Sequence, residues 1–422
     1  MIKEPVFIDL FAGCGGLSLG LENAGFSPIF VNELNPFAME TYLTNRQSVN
    51  GLLAKKYHSN DVKQMVLTPN YFDDLKKGFK QDYGIDVDNG DVDLIAGGPP
   101  CQGFSGIGHR RSYSVEKQQL PSNHLYQDMA YVINKIRPKF FLFENVRGLL
   151  NSRWTNTGTK GEIWEDVQNT FKSIPGYVIK SALVFAKEYG APQNRPRILL
   201  VGMREDLGIN PSSNLGDVAG GYLPSPTNGY PDLIDLLSDL IDSKYENGGA
   251  TIKYPKKAST LFQEKLRLNP DTREIFPKGF PISEHQYSKH APRIIKKFLY
   301  MLNNRGEISP DHRTKKFSQR LLPPRWDQRG PTITATCMPD DYVHFSQPRI
   351  LTVREWARLQ FFPDWYEFHG KRTTGGIRRA GNPRLANFDR ELPKYTQIGN
   401  AVPVVLAQVV GEHFIKLLGR KK

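Results

Sequence analysis

The sequence predicts an α/β protein: a doubly wound, mostly parallel sheet with a second, smaller domain after it. Three observations lead there. Over the first two hundred residues short apolar runs alternate with amphipathic ones, the first run ends in a glycine-rich turn, and the alternation stops after Arg204.

The elements follow in order. "VFIDLF" (6–11) reads as a buried strand, and "LSLGLENAG" after the glycine turn reads as a helix. Further strands are predicted at 27–33, 92–98, 139–146, 177–186 and 197–204. Between two of them, "YQDMAYVINKI" (126–136) places Met129, Val132, Ile133 and Ile136 on one helical face. "NPSSNLGDVAGGYLPSPTNGYPD" (210–232) is a connector by its Gly, Pro, Ser and Asn content. The second domain is expected over about 233–345, and "RGPTITATCMPDD" (329–341) reads as a strand within it. A helix over 352–368 and an apolar closing helix over 402–418 return to the first domain. The predicted division is 1–204, 205–345 and 346–422.

Composition bounds the function. The chain has 422 residues, 39% hydrophobic and 23% charged, which fits a globular protein with a sizeable core. No stretch is expected to approach the ~18 apolar residues of a membrane span, and the N-terminus lacks a signal-peptide layout. Cys14, Cys101 and Cys337 are too scattered for a disulfide framework or a zinc site, so a reducing cytoplasm and no metal are expected. The net charge is +13, which points to a polyanionic partner. From Lys289 to Arg329 there are 11 Lys/Arg against 3 Asp/Glu, and "KRTTGGIRRAGNPR" (371–384) holds five basic residues and no acid.

Several short segments sit where such sheets bind ligands, at the carboxyl ends of strands. In "DLFAGCGG" (9–16), Gly13, Gly15 and Gly16 allow close backbone approach, although Ser18 breaks the dinucleotide glycine spacing and a plain tight turn has the same look. Glu33 ends the second strand, 24 residues after Asp9, where a carboxylate can take both ribose hydroxyls; alone it would be an ordinary surface acid. "GGPPCQGFSG" (97–106) holds Cys101 behind two prolines that stiffen its approach, with Gly97, Gly98 and Gly103 leaving room for a planar ligand. A lone cysteine is commonly a small buried hydrophobe, but one fixed at a strand's carboxyl end is a nucleophile facing an electrophile. Glu144 ends "FLFENV", where apolar surroundings raise a carboxyl pKa and suit proton donation; a helix-start acid is the alternative. Arg195 and Arg197 in "APQNRPRILLVG" lie on one side of a strand entry by two-residue alternation, a place where arginines are also found merely solvated.

Taken together, "PPCQ", "ENV" and "QNRPR", each tied to a strand and in this order, resemble the C5-cytosine methyltransferase family. "DLFAGCGG" resembles that family's cofactor loop, and "TVREWARLQFFPD" and "QIGNAVP" resemble its ninth and tenth blocks. The likeness covers about 5–204 and 350–416, with Phe361 where the family often has a small residue. It implies a Rossmann-like S-adenosylmethionine-dependent methyltransferase sheet with a smaller DNA-recognition domain. It also implies methyl transfer from S-adenosylmethionine to C5 of a flipped-out cytosine in duplex DNA. By the family pattern Cys101 bonds to C6 of the base, Glu144 serves N3, and Arg197 with Arg195 holds O2. The cofactor would be lined by Phe11, Gly13, Gly15 and Leu17, with Glu33 on the ribose, Asp61 on the adenine amino group and Val62 against its ring. Pro99 and Leu125 would flank the methionine moiety, and Asn400 and Val402 would complete the pocket. Residues 105–124, polar, glycine-punctuated and about twenty long, read as a mobile lid closing over the DNA with Arg110 and Arg111 near phosphates, an ordinary surface loop being the alternative. The resemblance further implies a monomer, no membrane partner, and a protective role beside a restriction endonuclease encoded nearby.

Three rivals are weighed against this. A tRNA cytosine methyltransferase of the same fold would have a more compact recognition region than the roughly 140 residues between "LLVG" and "TVREW". A non-catalytic DNA-binding regulator would be expected to lack Cys101, Glu144 or Arg197. A nicotinamide dehydrogenase is disfavoured by the glycine spacing.

Overall fold

The computed structural model describes residues 4–47, 51–100, 116–211, 218–227, 229–313, 319–325, 340–374, 378 and 391–419. In chain order the first half runs β1 (Val6–Leu10), α1 (Gly16–Ala24), β2 (Ser27–Asn32), α2 (Pro36–Thr44), α3 (Gly51–Lys55), β3 (His58–Ser59), α4 (Val62–Leu67), α5 (Tyr71–Tyr83), β4 (Leu94–Gly97), α6 (Leu125–Ile136), β5 (Phe140–Val146), α7 (Glu162–Lys172), β6 (Tyr177–Phe185) and β7 (Pro196–Arg204). The rest holds α8 (Leu233–Leu237), α9 (Leu261–Leu266), α10 (Pro292–Asn303), β8 (Arg320–Leu321), β9 (Tyr342–Val343), α11 (Val353–Leu359), α12 (Lys394–Asn400) and α13 (Val404–Leu417).

Seven strands form one sheet in the order β3-β2-β1-β4-β5-β7-β6. All neighbours pair parallel except β7, which runs antiparallel to both β5 and β6. The reason is local. Only the short link 186–195 joins β6 to β7, too short for the crossover that a parallel pair needs. The strand order reverses between β1 and β4, so the carboxyl ends of β1, β2, β4 and β5 open onto the crevice where such sheets bind ligands.

Helices cover both faces, as the apolar strands require. α6 buries Met129, Val132, Ile133 and Ile136, the predicted face. On the other side α13 lies against α1 through small residues: a Cβ on Gly20 would come 2.4 Å from Ala407 Cβ, and one on Gly411 2.7 Å from Ala24 Cβ. The return of the chain's far end to α1 thus depends on glycines that let two helices touch.

The expectation about membrane spans needs a correction. The stretch Lys394–Leu417 is long and apolar enough to cross a membrane, but 61% of its most apolar window is buried in the core. The predicted helix over 352–368 is also too long. It starts on a capping box formed by Thr352 and Glu355 and ends at Leu359, because Phe361 takes φ 63° and the Gln360 side chain turns inward to bond Ile398 O at 2.8 Å.

Within 205–345, Leu233, Leu236, Leu237, Leu266, Leu322 and Tyr342 share one apolar cluster with Cys14, Leu19 and Trp356. Beside it runs a buried ionic chain. Arg358 bridges Asp239 and Asp364, each at 2.6 Å, while Arg267 pairs with Asp239 at 2.5 Å. Every charge in that chain has an opposite partner, the condition under which buried charges are tolerated. Of the strand expected over 329–341, residues 329–339 lie outside the described residues.

Candidate active site

At the end of β1 the chain turns through Phe11–Gly15 into α1. Phe11 and Gly13 both take φ 57° and Gly15 takes 83°, a left-handed region that costs a residue with a side chain, so the turn holds Phe11 under strain. Glu33 locks the turn: Oε2 accepts Gly13 N–H at 2.8 Å and Oε1 accepts Asn35 N–H at 2.7 Å. Burial raises its carboxyl above the ordinary value, opposed by those two N–H groups. A Cβ on Gly13 would meet nothing within 4 Å, so this glycine faces open space. The other two do not. A Cβ on Gly15 would lie 2.8 Å from the Tyr366 hydroxyl and one on Gly16 2.5 Å from Val402 O. On the side where a Cβ would stand, Gly15 and Gly16 therefore admit the protein's own chain.

The neighbouring edge assembles from short contacts. Glu33 N–H bonds Ser59 O at 3.1 Å, so β3 delivers Asp61 next to the end of β2. Asp61 Oδ1 accepts Lys63 N–H at 2.9 Å, capping α4, and Val62 and Leu17 are both buried in the core. Leu125 opens α6, which Lys63 and Asp128 tie to α4 at 3.8 Å. Leu34, 70% exposed beside Glu33, escaped the sequence reading. Its signal was present: a large apolar residue directly after a strand-ending acid has no core to enter.

Asp9 lies under this turn. It is fully buried, bonds the Ser18 hydroxyl, and leaves Oδ1 without a hydrogen-bond partner among the described residues. Burial pushes its carboxyl from 3.8 up to about 7. The folded state thus holds this proton more tightly than the unfolded chain. The stability it contributes is complete below about pH 4 and is lost as pH rises through about 7, at up to roughly 1.4 kcal/mol per pH unit. Asp9→Asn is expected to flatten that decline, as measured by denaturant unfolding across the same range.

The second half of the site lies on β4, β5 and β7. Glu144 and Arg197 are 9% and 8% exposed, and Arg197 Nε comes to 2.5 Å from Glu144 Oε1. Both atoms lack an aligned hydrogen bond, so the contact is an ion pair by distance. A Cβ on Gly98 would sit 2.8 Å from Glu144 Oε2, and one on Gly97 2.9 Å from Leu10 O. The room expected at these glycines for a planar ligand is filled by the protein's own carboxylate and backbone. Asn145, one residue past Glu144, donates Nδ2–H to Pro99 O at 3.2 Å and so ties the Pro99–Pro100 turn to β5. It stands in the "ENV" segment that sequence reading used only for Glu144. Gly98→Ala is expected to displace the Glu144 carboxylate and lower kcat by about 10²-fold, leaving cofactor affinity unchanged; steady-state kinetics with varied cofactor checks this.

Arg195 takes different hydrogen-bond partners from Arg197. Its Nη2 donates to Gly399 O at 2.8 Å and Asn400 O at 3.3 Å. Gln193 lies in the same wall, donating to Gln360 Oε1 at 2.8 Å. These bonds fix Asn400, which is exposed, and Val402, which is 8% exposed, beside α1. Burial, and then the neighbouring Arg197, lower the Arg195 pKa against the opposing pull of Glu144, so Arg195 stays within electrostatic reach of both although β7 begins only at Pro196.

Cys101, Gly103, Arg110, Arg111 and Cys337 lie outside the described residues. So does the expected lid as far as residue 115. Its remainder is docked: Leu120 is 1% exposed, and His124 stacks on Trp154 at 4.8 Å. Cys14 is buried, bonds Gln397 O at 3.4 Å, and has its thiol pushed up to about 12 by burial, so it serves as a packing group. Among the described residues, no three or more His, Cys, Asp or Glu side chains gather as a metal site.

A family model for C-5 cytosine-specific DNA methylase matches residues 6–416. The chain belongs to this family. The DNA methylase is 30% identical to the type II methyltransferase M.DdeI of Desulfomicrobium norvegicum, over 96% of this chain and 87% of that one. It is also 30% identical to the type II methyltransferase M.Eco47II of Escherichia coli, over 98% and 79%. Among solved structures it is similar to a prophage-encoded E. coli protein described as a candidate DNA modification methyltransferase, with TM-score 0.66, 24% identity and 99% and 100% coverage, a likeness of fold. The sheet is the Rossmann-like sheet of S-adenosylmethionine-dependent methyltransferases, and the family's activity is transfer of a methyl group to C5 of cytosine in DNA.

Proposed function

We propose that the carboxyl edge of β1, β2, β4 and β5 is a two-chambered site, with cofactor over Gly13 and Glu33 and a flipped cytosine against Glu144 and Arg197. The ion pair between Glu144 and Arg197, set against Gly98 at the start of the Gly98–Pro99–Pro100 segment that leads to Cys101, carries this reading.

The turn at Phe11–Gly15 fits S-adenosylmethionine. Open space above Gly13 admits the methionine moiety, which by the family pattern Pro99 and Leu125 would flank. Glu33 keeps lone pairs for the two ribose hydroxyls beyond those given to Gly13 and Asn35. Leu34 and Asp61 stand where the adenine ring and its amino group would be met. Bound there, S-adenosylmethionine supplies an electrophilic methyl group.

The chain's residues prepare the base. Unstacking a cytosine costs a few kcal/mol and brings it into the pocket. The Cys101 thiolate adds to C6, Glu144 gives or shares a proton at N3, and Arg197 holds O2, so that negative charge developing on the ring is met on two edges. C5 gains the electron density to take the methyl group; loss of the C5 proton then expels the thiolate. Arg195 acts one step back, through the backbone of Asn400, as a positioning residue between the two chambers. Residues 205–345 serve as the target-recognition region.

Protection of host DNA beside a cognate endonuclease is supported by the names of the type II relatives. Tritiated S-adenosylmethionine offered with duplex DNA and with tRNA tests the substrate. Label is expected in DNA, with bisulfite sequencing locating the cytosine; label in tRNA alone would contradict the reading.

A further inference from the structure

A cavity of about 510 Å³ lies away from the site described above, between the turn after α10 and β8. Arg305, Arg313 and Arg320 stand around it with Gln319, and Ile308 and Leu321 complete its wall. All three arginines are exposed. Arg313 Nε donates to Ile308 O at 3.2 Å, and the Arg320 guanidinium rests over the Tyr342 ring at 4.5 Å. These contacts orient two of the heads without neutralising them. Among the described residues none of the three forms a salt bridge, although Glu307 and Asp311 lie beside Arg305 and Arg313 in the chain.

Three guanidinium groups around one opening repel one another, and the contacts that orient two of them leave their charges in place. An anion entering among them reverses the sign, and a phosphate matches the planar fork of a guanidinium through two oxygens. The surroundings favour a polymer over a small free anion. Arg293 and Lys296, one helical turn apart on α10, are exposed and continue the positive surface beyond the cavity. We propose that this cavity grips a backbone phosphate of duplex DNA, giving the 292–321 segment an affinity that does not depend on base sequence. The proposal rests on the reading of duplex DNA as the substrate.

The test is the salt dependence of binding, measured by fluorescence anisotropy with the full chain and a labelled duplex of random sequence. Arg313→Ala and Arg320→Ala are each expected to reduce the slope of log affinity against log salt by about 0.9, the release of one phosphate's counterions. Arg313→Lys keeps the charge and should keep the slope, which separates lost charge from lost folding. Lys77→Ala, on the far helix α5, should behave as the parent chain. Unchanged slopes in both alanine variants would overturn the proposal while leaving the parent's DNA binding, and so the substrate reading, intact. Binding of inorganic phosphate by the parent chain, lost in both alanine variants while their salt slopes for duplex stay unchanged, would also overturn it, since the cavity would then be a site for a free anion. A parent chain that fails to bind duplex at all would sink the substrate reading beneath it.

Discussion

Cys101→Ser is expected to abolish methyl transfer to DNA, by on the order of 10⁴-fold or more, while S-adenosylmethionine binding stays as in the parent. The reason is electronic. C5 of cytosine is a weak nucleophile until a group adds at C6, and a serine hydroxyl at neutral pH supplies almost no anion to do so, whereas a thiol supplies some. The Pro99–Pro100 turn fixes the approach, held to β5 by the 3.2 Å bond from Asn145. The substitution therefore removes the nucleophile without moving its support. Single-turnover label transfer, with cofactor affinity measured in parallel, separates the two effects. A serine variant that retained a tenth of the parent rate would contradict the role given to the thiol.

Glu144→Gln should lower kcat by about 10²- to 10³-fold with little change in the KM for DNA. Glutamine keeps the shape and one acceptor but cannot hand a proton to N3, so the loss falls on the transition state rather than on binding. A second effect is structural. Arg197 is 8% exposed and faces Glu144 at 2.5 Å, so the variant leaves a buried cation without its counter-charge, at a cost of about 3 kcal/mol in unfolding free energy. The double variant Glu144→Gln, Arg197→Met should recover much of that stability and none of the activity. A kcat that falls only in proportion to the folded fraction would assign Glu144 to structure alone.

What the sequence made legible follows from how each element is held. β1, β4 and β5 are buried along nearly their whole length and announce themselves as unbroken apolar runs. β3 is two residues long and has no pattern to read. α11 stops at Leu359 because of contacts made by Gln360 with the chain near residue 400, which no local periodicity encodes. The region 233–345 resisted for a related reason: its helices α8 and α9 are of five and six residues, and much of its order comes from ion pairs such as Arg358–Asp239, 119 residues apart. Within the site, residue types were legible and their partners were not. Glu144 and Arg197 could be singled out, but only the β5–β7 pairing brings them together. The glycines were read as places where a ligand approaches the backbone, yet at Gly15, Gly16, Gly97 and Gly98 the space a Cβ would take is filled by the protein itself, whereas Gly13 faces open space.

The most direct measurement offers the chain its cofactor and a duplex in which the target base is 5-fluorocytosine, then digests the product for mass spectrometry. Fluorine at C5 cannot leave as a proton does, so elimination of the thiolate is blocked after the methyl group has been transferred. The expected result is a stable complex in which the peptide containing Cys101 carries the methylated base. Methyl transfer to the ordinary duplex together with no adduct at Cys101 on the fluorinated one would contradict the central claim.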